Sequence, residues 1–165
     1  MTRFRIEHVP EGGAASAAFR VQIAACHALR NRVFVDEQRV AATLEWDGLD
    51  ARAEHFLARR VDDGEALGTA RLRVSEGRAR AERVAVHAAA RRSGVGRVLM
   101  EAVTARARVR GCAEIELHAQ LTALPFYEAL GYVAEGPVFD EAGIDHRSMR
   151  LALPRDERTG RVRRR

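Results

Sequence analysis

The chain has 165 residues, of which 47% are hydrophobic and 31% charged, a composition typical of one globular domain with a core of ordinary size. No apolar run approaches the ~20 residues that a membrane-spanning helix needs, and the first residues lack the apolar stretch of a secretory signal, so we expect a cytoplasmic protein. Residues 154–165 carry +4 of the formal charge of +5, and the nearly neutral remainder argues against a nucleic acid as a partner. Without a long apolar run, we also expect no membrane partner.

The first half of the chain alternates strand patterns with turns. Hydrophobic periodicity predicts a strand over residues 2–9, a helix capped by Ser16, and further strands over 55–61, 66–74 and 78–86. Short polar turns separate the last three strands, which predicts an antiparallel meander. Residues 36–54 are polar and acidic, and we expect a loop there.

The second half changes to longer connections. It predicts a helix over 94–110, a strand over 114–119, a shorter helix over 123–130, and closing strands within 132–139 and 146–153. The strand–helix–strand unit over 79–119 must be parallel and right-handed if both strands share a sheet. The fold class is therefore α/β (α+β), with one domain over 1–153 and an arginine-rich, disordered tail over 154–165.

Metal chemistry has little support in the sequence. Cys26 and Cys112 belong to no CxxC pair, so we expect both to be reduced. The six histidines are scattered without the spacing of metal ligands, and we expect no metal site.

The segment "ARRSGVGRVLMEAV", residues 90–103, places Gly94 and Gly96 where a helix begins. The start of a helix exposes unpaired N–H groups with partial positive charge, and glycines let a ligand approach the backbone closely. The segment therefore predicts a phosphate or pyrophosphate site, with a loose helix cap as the open alternative. A Walker loop needs lysine, which the chain lacks, and the third glycine of a dinucleotide fingerprint is missing.

A second segment, "AQLTALPFYEALGY" at residues 119–132, follows this helix and its strand. Together the two segments resemble the GNAT superfamily of acyl-CoA-dependent N-acyltransferases over residues 20–153. The stretches 32–38, 45–56 and 141–149 are similar to its ElaA-like branch. The resemblance implies a central mixed, mostly antiparallel sheet with splayed parallel strands and helices on both faces.

The resemblance also implies an activity, the transfer of an acetyl (acyl) group from acetyl-CoA to a primary amine of a small molecule or peptide. A non-catalytic acyl-CoA-binding sensor on the same scaffold is the alternative. Exposed edge strands are compatible with a homodimer. In this family the acyl-CoA lies along the strand and loop before the main helix and near the AxxFY helix. The residues thereby implied are Val84, Ala85, Val86, Arg91, Arg92, Ser93, Gly94, Val95, Gly96, Arg97, Gln120 and Phe126.

Tyr127 matches the family's tyrosine, which implies that it protonates the departing thiolate. A phenol titrates near ~10 and a thiol near ~8.5, so this transfer is uphill by about 2 kcal/mol unless the site lowers the pKa of Tyr127. Positive potential at a helix start, or a hydrogen bond to the phenolate, would lower it. The alternative is a buried aromatic residue with a satisfied hydroxyl group.

Glu82 is our candidate for the catalytic base. By the period of a strand it shares a face with Val84 and Val86. Arg80 occupies the position where some family members carry a catalytic glutamate, so the base stays open. Two histidines are the alternatives, His55 and His118.

The acidic loop supplies the candidate acceptor site. Glu45, Asp50 and the nearby His55 are our substrate-binding residues, because an acidic rim attracts a cationic acceptor. The plainer interpretation is a solvated loop whose acids pair with neighbouring arginines.

Overall fold

One mixed sheet forms the centre of the computed structural model, which describes residues 3–13 and 16–154. Within these residues the strands are β1 (Phe4–Val9), β2 (Glu54–Arg60), β3 (Ala66–Ser75), β4 (Arg78–Val86), β5 (Glu114–Gln120), β6 (Val133–Glu141) and β7 (Ile144–Ala152). The α-helices are α1 (Ala17–Arg30), α2 (Ala42–Glu45), α3 (Val95–Val109) and α4 (Leu124–Glu128). A π-helical segment, Asn31–Glu37, continues α1 into the predicted acidic loop.

The sheet has the order β1-β2-β3-β4-β5-β7-β6 and is antiparallel except for β4 and β5. The predicted meander is formed by β2, β3 and β4, and the predicted parallel unit by β4, α3 and β5. The parallel pairing joins only Ala79 to Ile115 and Arg80 to Glu116. Beyond these positions β4 and β5 separate, and a gap opens in the sheet.

Strand β4 contains a β-bulge beside this gap. Strand β3 pairs Thr69 with Ala85 but Arg71 with Glu82, so β4 has one residue more than β3 over this stretch. Arg83 lies within the bulge at a φ of 53°, in the left-handed region. Such a bulge bends the strand and redirects the side chains that follow it.

The bulge changes which side chains of β4 share a face. Ala81 lies in the main core with α3, whereas Ala85, four residues later, packs in a smaller cluster against the end of α1. Val84 and Val86 pack against the main core. The prediction that Glu82, the neighbour of Ala81, shares a face with these two valines is therefore wrong.

Helices α1 and α3 cover opposite faces of the sheet, as their contacts with adjacent residues of β4 require. Gly68 of β3 allows α3 to pack closely. A Cβ atom at this position would lie 2.7 Å from Leu99 Cδ1 and 2.8 Å from Val95 Cγ1. The predicted arrangement of a mostly antiparallel sheet between helices is confirmed.

Three further predictions concern the cysteines, membrane-spanning helices and the C-terminal tail. Cys26 and Cys112 are buried and form no disulfide. None of the helices over residues 3–13 and 16–154 is long and apolar enough to cross a membrane. Apart from Pro154, the predicted tail lies outside the described residues.

Candidate functional site

A cavity of about 420 Å³ lies where β4 and β5 separate. Its walls come from β4, β5, α4, the β6–β7 hairpin and the segment between α1 and β2. Eight residues named from the sequence as site candidates line it, namely Glu45, Glu82, Val84, Val86, Arg91, His118, Gln120 and Tyr127. Ala85 belongs to β4 but packs toward α1. The glycine loop with Phe126 lies beside the cavity, and Asp50 and His55 lie outside its lining.

The glycine loop forms the start of α3. Gly94 is the N-cap at a φ of 89°, which favours glycine. The N–H of Val98 donates to the Gly94 carbonyl at 3.1 Å. The amides of Val95, Gly96 and Arg97 precede this bond and have no partner within the helix. Together they form a positively polarised helix end.

The side chains around the loop shape an open cradle. A Cβ atom on Gly96 would lie 3.2 Å from Phe126 Cζ, so the aromatic ring packs over the first turn of α3. A Cβ atom on Gly94 would meet nothing within 4 Å. The Arg91 guanidinium makes two hydrogen bonds to Glu37, of 2.6 and 2.8 Å, and its Nε donates to the Val86 carbonyl at 3.1 Å.

Tyr127 lines the cavity from α4 and is buried. Burial raises the pKa of Tyr127, and the neighbouring Tyr132 acts in the same direction. The surroundings of Tyr127 therefore do not lower its pKa, as easier proton donation would require. The ring also makes an edge contact with Phe126, with 4.9 Å between centroids. Because its pKa is raised, Tyr127 keeps its proton at neutral pH.

Glu82 lines the same cavity but is surrounded by arginines. It accepts hydrogen bonds from Arg71 at 2.6 Å and Arg73 at 2.7 Å, and Arg80 forms an ion pair with it at 3.1 Å. Burial raises the pKa of Glu82, but the hydrogen bond from Arg73 and the charge of Arg71 outweigh it and hold the pKa below its usual range. A carboxylate stabilised in this way is a weak base.

The acidic loop is a buried ion-pair network. Glu45 is held by Arg30 and by Arg83, whose Nε lies 2.9 Å from it. Asp50 accepts hydrogen bonds from Arg30 at 2.8 Å and from Arg71 at 2.9 Å. Burial raises the pKa of Asp50, but the hydrogen bonds from His27 and Arg30 hold it well below its usual range.

His55 belongs to the same network. It is fully buried, and its Nε2 lies 3.0 Å from the Asp50 carbonyl oxygen. Burial lowers the pKa of His55, which favours the neutral imidazole. Of the three predicted acceptor-binding residues, the structure brings only Glu45 to the cavity, and arginines already hold its carboxylate.

Two polar residues that line the cavity, Glu141 and His146, were not predicted from the sequence as site residues, and they lie beside Arg80 and His118, the latter an alternative base. Arg80 donates to His118, whose Nδ1 lies 3.1 Å from Glu141 Oε1. His146 Nε2 lies 3.8 Å from the other oxygen of Glu141. The β6–β7 hairpin and its pairing with β5 bring them together, so no short-range spacing signals the cluster. Residues 141–149 are similar to the ElaA-like branch, but this similarity did not identify Glu141 or His146 as site residues.

Over residues 3–13 and 16–154, no group of three or more His, Cys, Asp or Glu side chains is arranged to hold a metal ion. The cavity is lined by side-chain amides, arginines, carboxylates, imidazoles and one phenol.

Comparisons with known proteins agree with this architecture. The family described as "Acetyltransferase (GNAT) domain" matches residues 15–153. An uncharacterized N-acetyltransferase of Bacillus subtilis, YjcF, is 39% identical over 123 residues, 73% of this chain and 86% of that protein.

Two crystal structures extend the comparison. An acyl-CoA N-acyltransferase from Pseudomonas aeruginosa is 32% identical with a TM-score of 0.74, and the match covers 91% of this chain and 100% of that one. Escherichia coli ElaA is 26% identical, also with a TM-score of 0.74, and the match covers 91% of this chain and 99% of ElaA. The resemblance inferred from the sequence is confirmed, and the chain belongs to the GNAT acetyltransferase family.

Proposed function

We propose that the protein transfers an acetyl group from acetyl-CoA to a primary amine of a small-molecule or peptide acceptor. The observation that carries the proposal is the cavity between the separating ends of β4 and β5, which Tyr127 lines. The Pseudomonas relative is named an acyl-CoA N-acyltransferase, which supports a thioester donor.

The residues beside the cavity suit a long anionic thioester. The amides at the start of α3, with Arg92 and Arg97 beside them, fit a diphosphate. The β4 backbone from Val84 onward is not paired with β5 and can hydrogen-bond to the amides of a pantetheine arm. Gln120 reaches the cavity from β5, where its side-chain amide donates to Gln38 at 2.9 Å.

The reaction requires a proton donor close to the sulfur atom of the thioester. The amine nitrogen forms a bond to the acyl carbon, the carbon–sulfur bond breaks, and the thiolate gains a proton. Tyr127 is the donor in our proposal, because it lines the cavity and its phenol is protonated at neutral pH, although its raised pKa makes it a weaker acid than a free phenol. Glu82 remains a weak base, so an amine that arrives neutral is the preferred nucleophile unless another acceptor takes its proton.

The experiment compares Tyr127→Phe with Tyr132→Phe in a thiol-release assay with acetyl-CoA and a panel of amines. Both changes remove one buried phenolic hydroxyl, but Tyr132 does not line the cavity. We expect Tyr127→Phe to lower kcat about 100-fold, the usual size of one acid–base contribution, with affinity for coenzyme A within about threefold of wild type. Tyr132→Phe should leave kcat within about threefold. Equal effects of the two variants would contradict a chemical role for Tyr127.

A non-catalytic acyl-CoA-binding protein is the second candidate. The observation that favours it is the pair of unfavourable shifts, a raised pKa at Tyr127 and a lowered pKa at Glu82. Heat released on titration with coenzyme A, without thiol release for any amine in the panel, would support this candidate. If coenzyme A gives no heat at millimolar concentration, both candidates are wrong. A cytoplasmic location and a homodimer stay predictions beside either one.

A further inference from the structure

Glu141 differs from the other carboxylates that line the cavity. Glu45 is held by two arginines and Glu82 by three. Across the described part of the chain, the ion-pair partners of Glu141 are two histidines, His118 and His146. Its side chain is also 51% exposed, so it can receive a ligand. The cavity therefore contains one carboxylate that no arginine neutralises among these residues.

The protonation of His118 follows from its partners. Its Nδ1 lies 3.1 Å from a Glu141 oxygen, which can only accept, so Nδ1 carries the proton. Its Nε2 then accepts from Arg80 Nη2, which lies 2.9 Å from Nε2 and 3.1 Å from Nδ1. Both ring nitrogens of His118 are thus occupied, and the histidine fixes one oxygen of Glu141.

His146 has a different arrangement. Its Nδ1 lies 2.7 Å from the Ile144 carbonyl oxygen, which also can only accept, so the proton is on Nδ1. In the tautomer with its proton on Nδ1, Nε2 is an acceptor, and it lies 3.8 Å from Glu141 Oε2, too far for a direct hydrogen bond. Two acceptors at this separation cannot bond to each other, but a single donor between them can bond to both. The side chain of His146 is only 10% exposed, so it is held in place at the wall of the cavity.

We propose that the ammonium group of the acceptor binds between Glu141 Oε2 and His146 Nε2. This proposal rests on the proposed function and names the class of acceptor. An ammonium group has several N–H donors and a positive charge, so it satisfies the imidazole lone pair and the carboxylate together. The imidazole lone pair also receives the proton that the ammonium must lose. One N–H bond breaks, a new one forms at Nε2, and the freed nitrogen pair attacks the acyl carbon.

The rest of the lining selects the body of the acceptor. Three arginines and three glutamates line the cavity, so the formal charges of these six side chains cancel. A second ammonium group would find no further carboxylate without an arginine partner. The segment between α1 and β2 instead contributes the apolar side chains of Val33, Phe34, Val40 and Leu44. The site is therefore suited to a monoamine with an apolar body and is poorly suited to a polyamine.

The test measures thiol release from acetyl-CoA with 2-phenylethylamine and with spermidine as acceptors. We expect kcat/KM to be at least tenfold higher for 2-phenylethylamine. A higher value for spermidine would overturn the acceptor class. No thiol release with any amine would instead contradict the proposed function itself, so the two failures are distinguishable.

Variants then test the two residues. Glu141→Gln should raise KM for 2-phenylethylamine at least tenfold while KM for acetyl-CoA stays within about twofold. The control is Glu135→Gln, also on β6 and similarly exposed, whose carboxylate pairs with Arg150 outside the cavity. His146→Gln should lower kcat more than it raises KM for the amine. Equal KM values for the Glu141 and Glu135 variants, or an unchanged kcat for the His146 variant, would overturn the assignment.

Discussion

Replacing Arg71 by methionine tests the ion-pair network beneath the cavity. The Arg71 side chain is 1% exposed and donates to three carboxylates, those of Asp47, Asp50 and Glu82, at 2.6 to 3.0 Å. Methionine fills a similar volume but leaves these carboxylates close together without their shared cation. Removing one partner of a buried ion pair typically costs about 3–5 kcal/mol, and we expect a loss in that range.

The matched control is Arg73→Met. Arg73 also holds Glu82, but its side chain is 32% exposed and it has no second carboxylate partner among the described residues. Solvent screens such a pair, so we expect a loss of at most about 1 kcal/mol. Urea denaturation at pH 7 measures both free energies of unfolding. A loss below 1 kcal/mol for Arg71→Met, or equal losses for the two variants, would refute the reasoning.

The pH dependence gives a second check on the Arg71 variant. The hydrogen bonds from Arg71 lower the pKa of Asp47 to about 2. A carboxyl group with a depressed pKa stabilises the fold above its ordinary range near ~4 and loses that contribution as the pH falls toward its folded value. The variant lacks the part of this contribution that Arg71 supplies, whereas the Leu49 amide and Arg83 remain. The difference in stability between wild type and variant should therefore be smaller at pH 3 than at pH 7, and a larger difference at pH 3 would contradict it.

Two glycine substitutions test how α3 is positioned. Gly68→Ala places a Cβ atom 2.7 Å from Leu99 Cδ1 and 2.8 Å from Val95 Cγ1, so we expect urea denaturation to show a loss of about 1–3 kcal/mol from overpacking. Gly94→Ala meets no atom within 4 Å but must hold a φ of 89°, so it should cost about 1 kcal/mol and also weaken calorimetric binding of coenzyme A. Gly77→Ala is its control, because φ is 74° in an equally open turn at the end of β4 opposite the start of α3, and coenzyme A binding should stay unchanged.

The sequence predicted the elements of the fold well and the orientation of several side chains less well. Period and turn chemistry placed the strand over 78–86 and the helix that follows it within one residue of the observed bounds. The bulge at Arg83 gave no such signal, because arginine is not a residue that marks a left-handed backbone position. The face of Glu82 could therefore not be deduced from alternation, which holds only for a regular strand.

The acidic loop shows a second limit. The chain contains many arginines, but the sequence positions of Glu45 and Asp50 do not indicate which of these arginines pair with them in the fold. The same limit applies to Glu141 and His146, which the β6–β7 hairpin brings to the cavity between β4 and β5. A pattern along the chain reports local structure, whereas ion pairing depends on contacts between distant segments.

Ion pairing also decides which carboxylates around the cavity are free to act on a ligand. A carboxylate that is largely buried needs arginine partners to offset the cost of its desolvation. These arginines keep the carboxylate ionised and make it a weak base. Glu45 and Glu82 are in this position, so their location beside the cavity does not make them reactive. Glu141 reaches the cavity from a half-exposed hairpin and therefore needs no arginine to stay charged. We thus expect the acceptor amine to be recognised at the edge of the sheet rather than on the acidic loop.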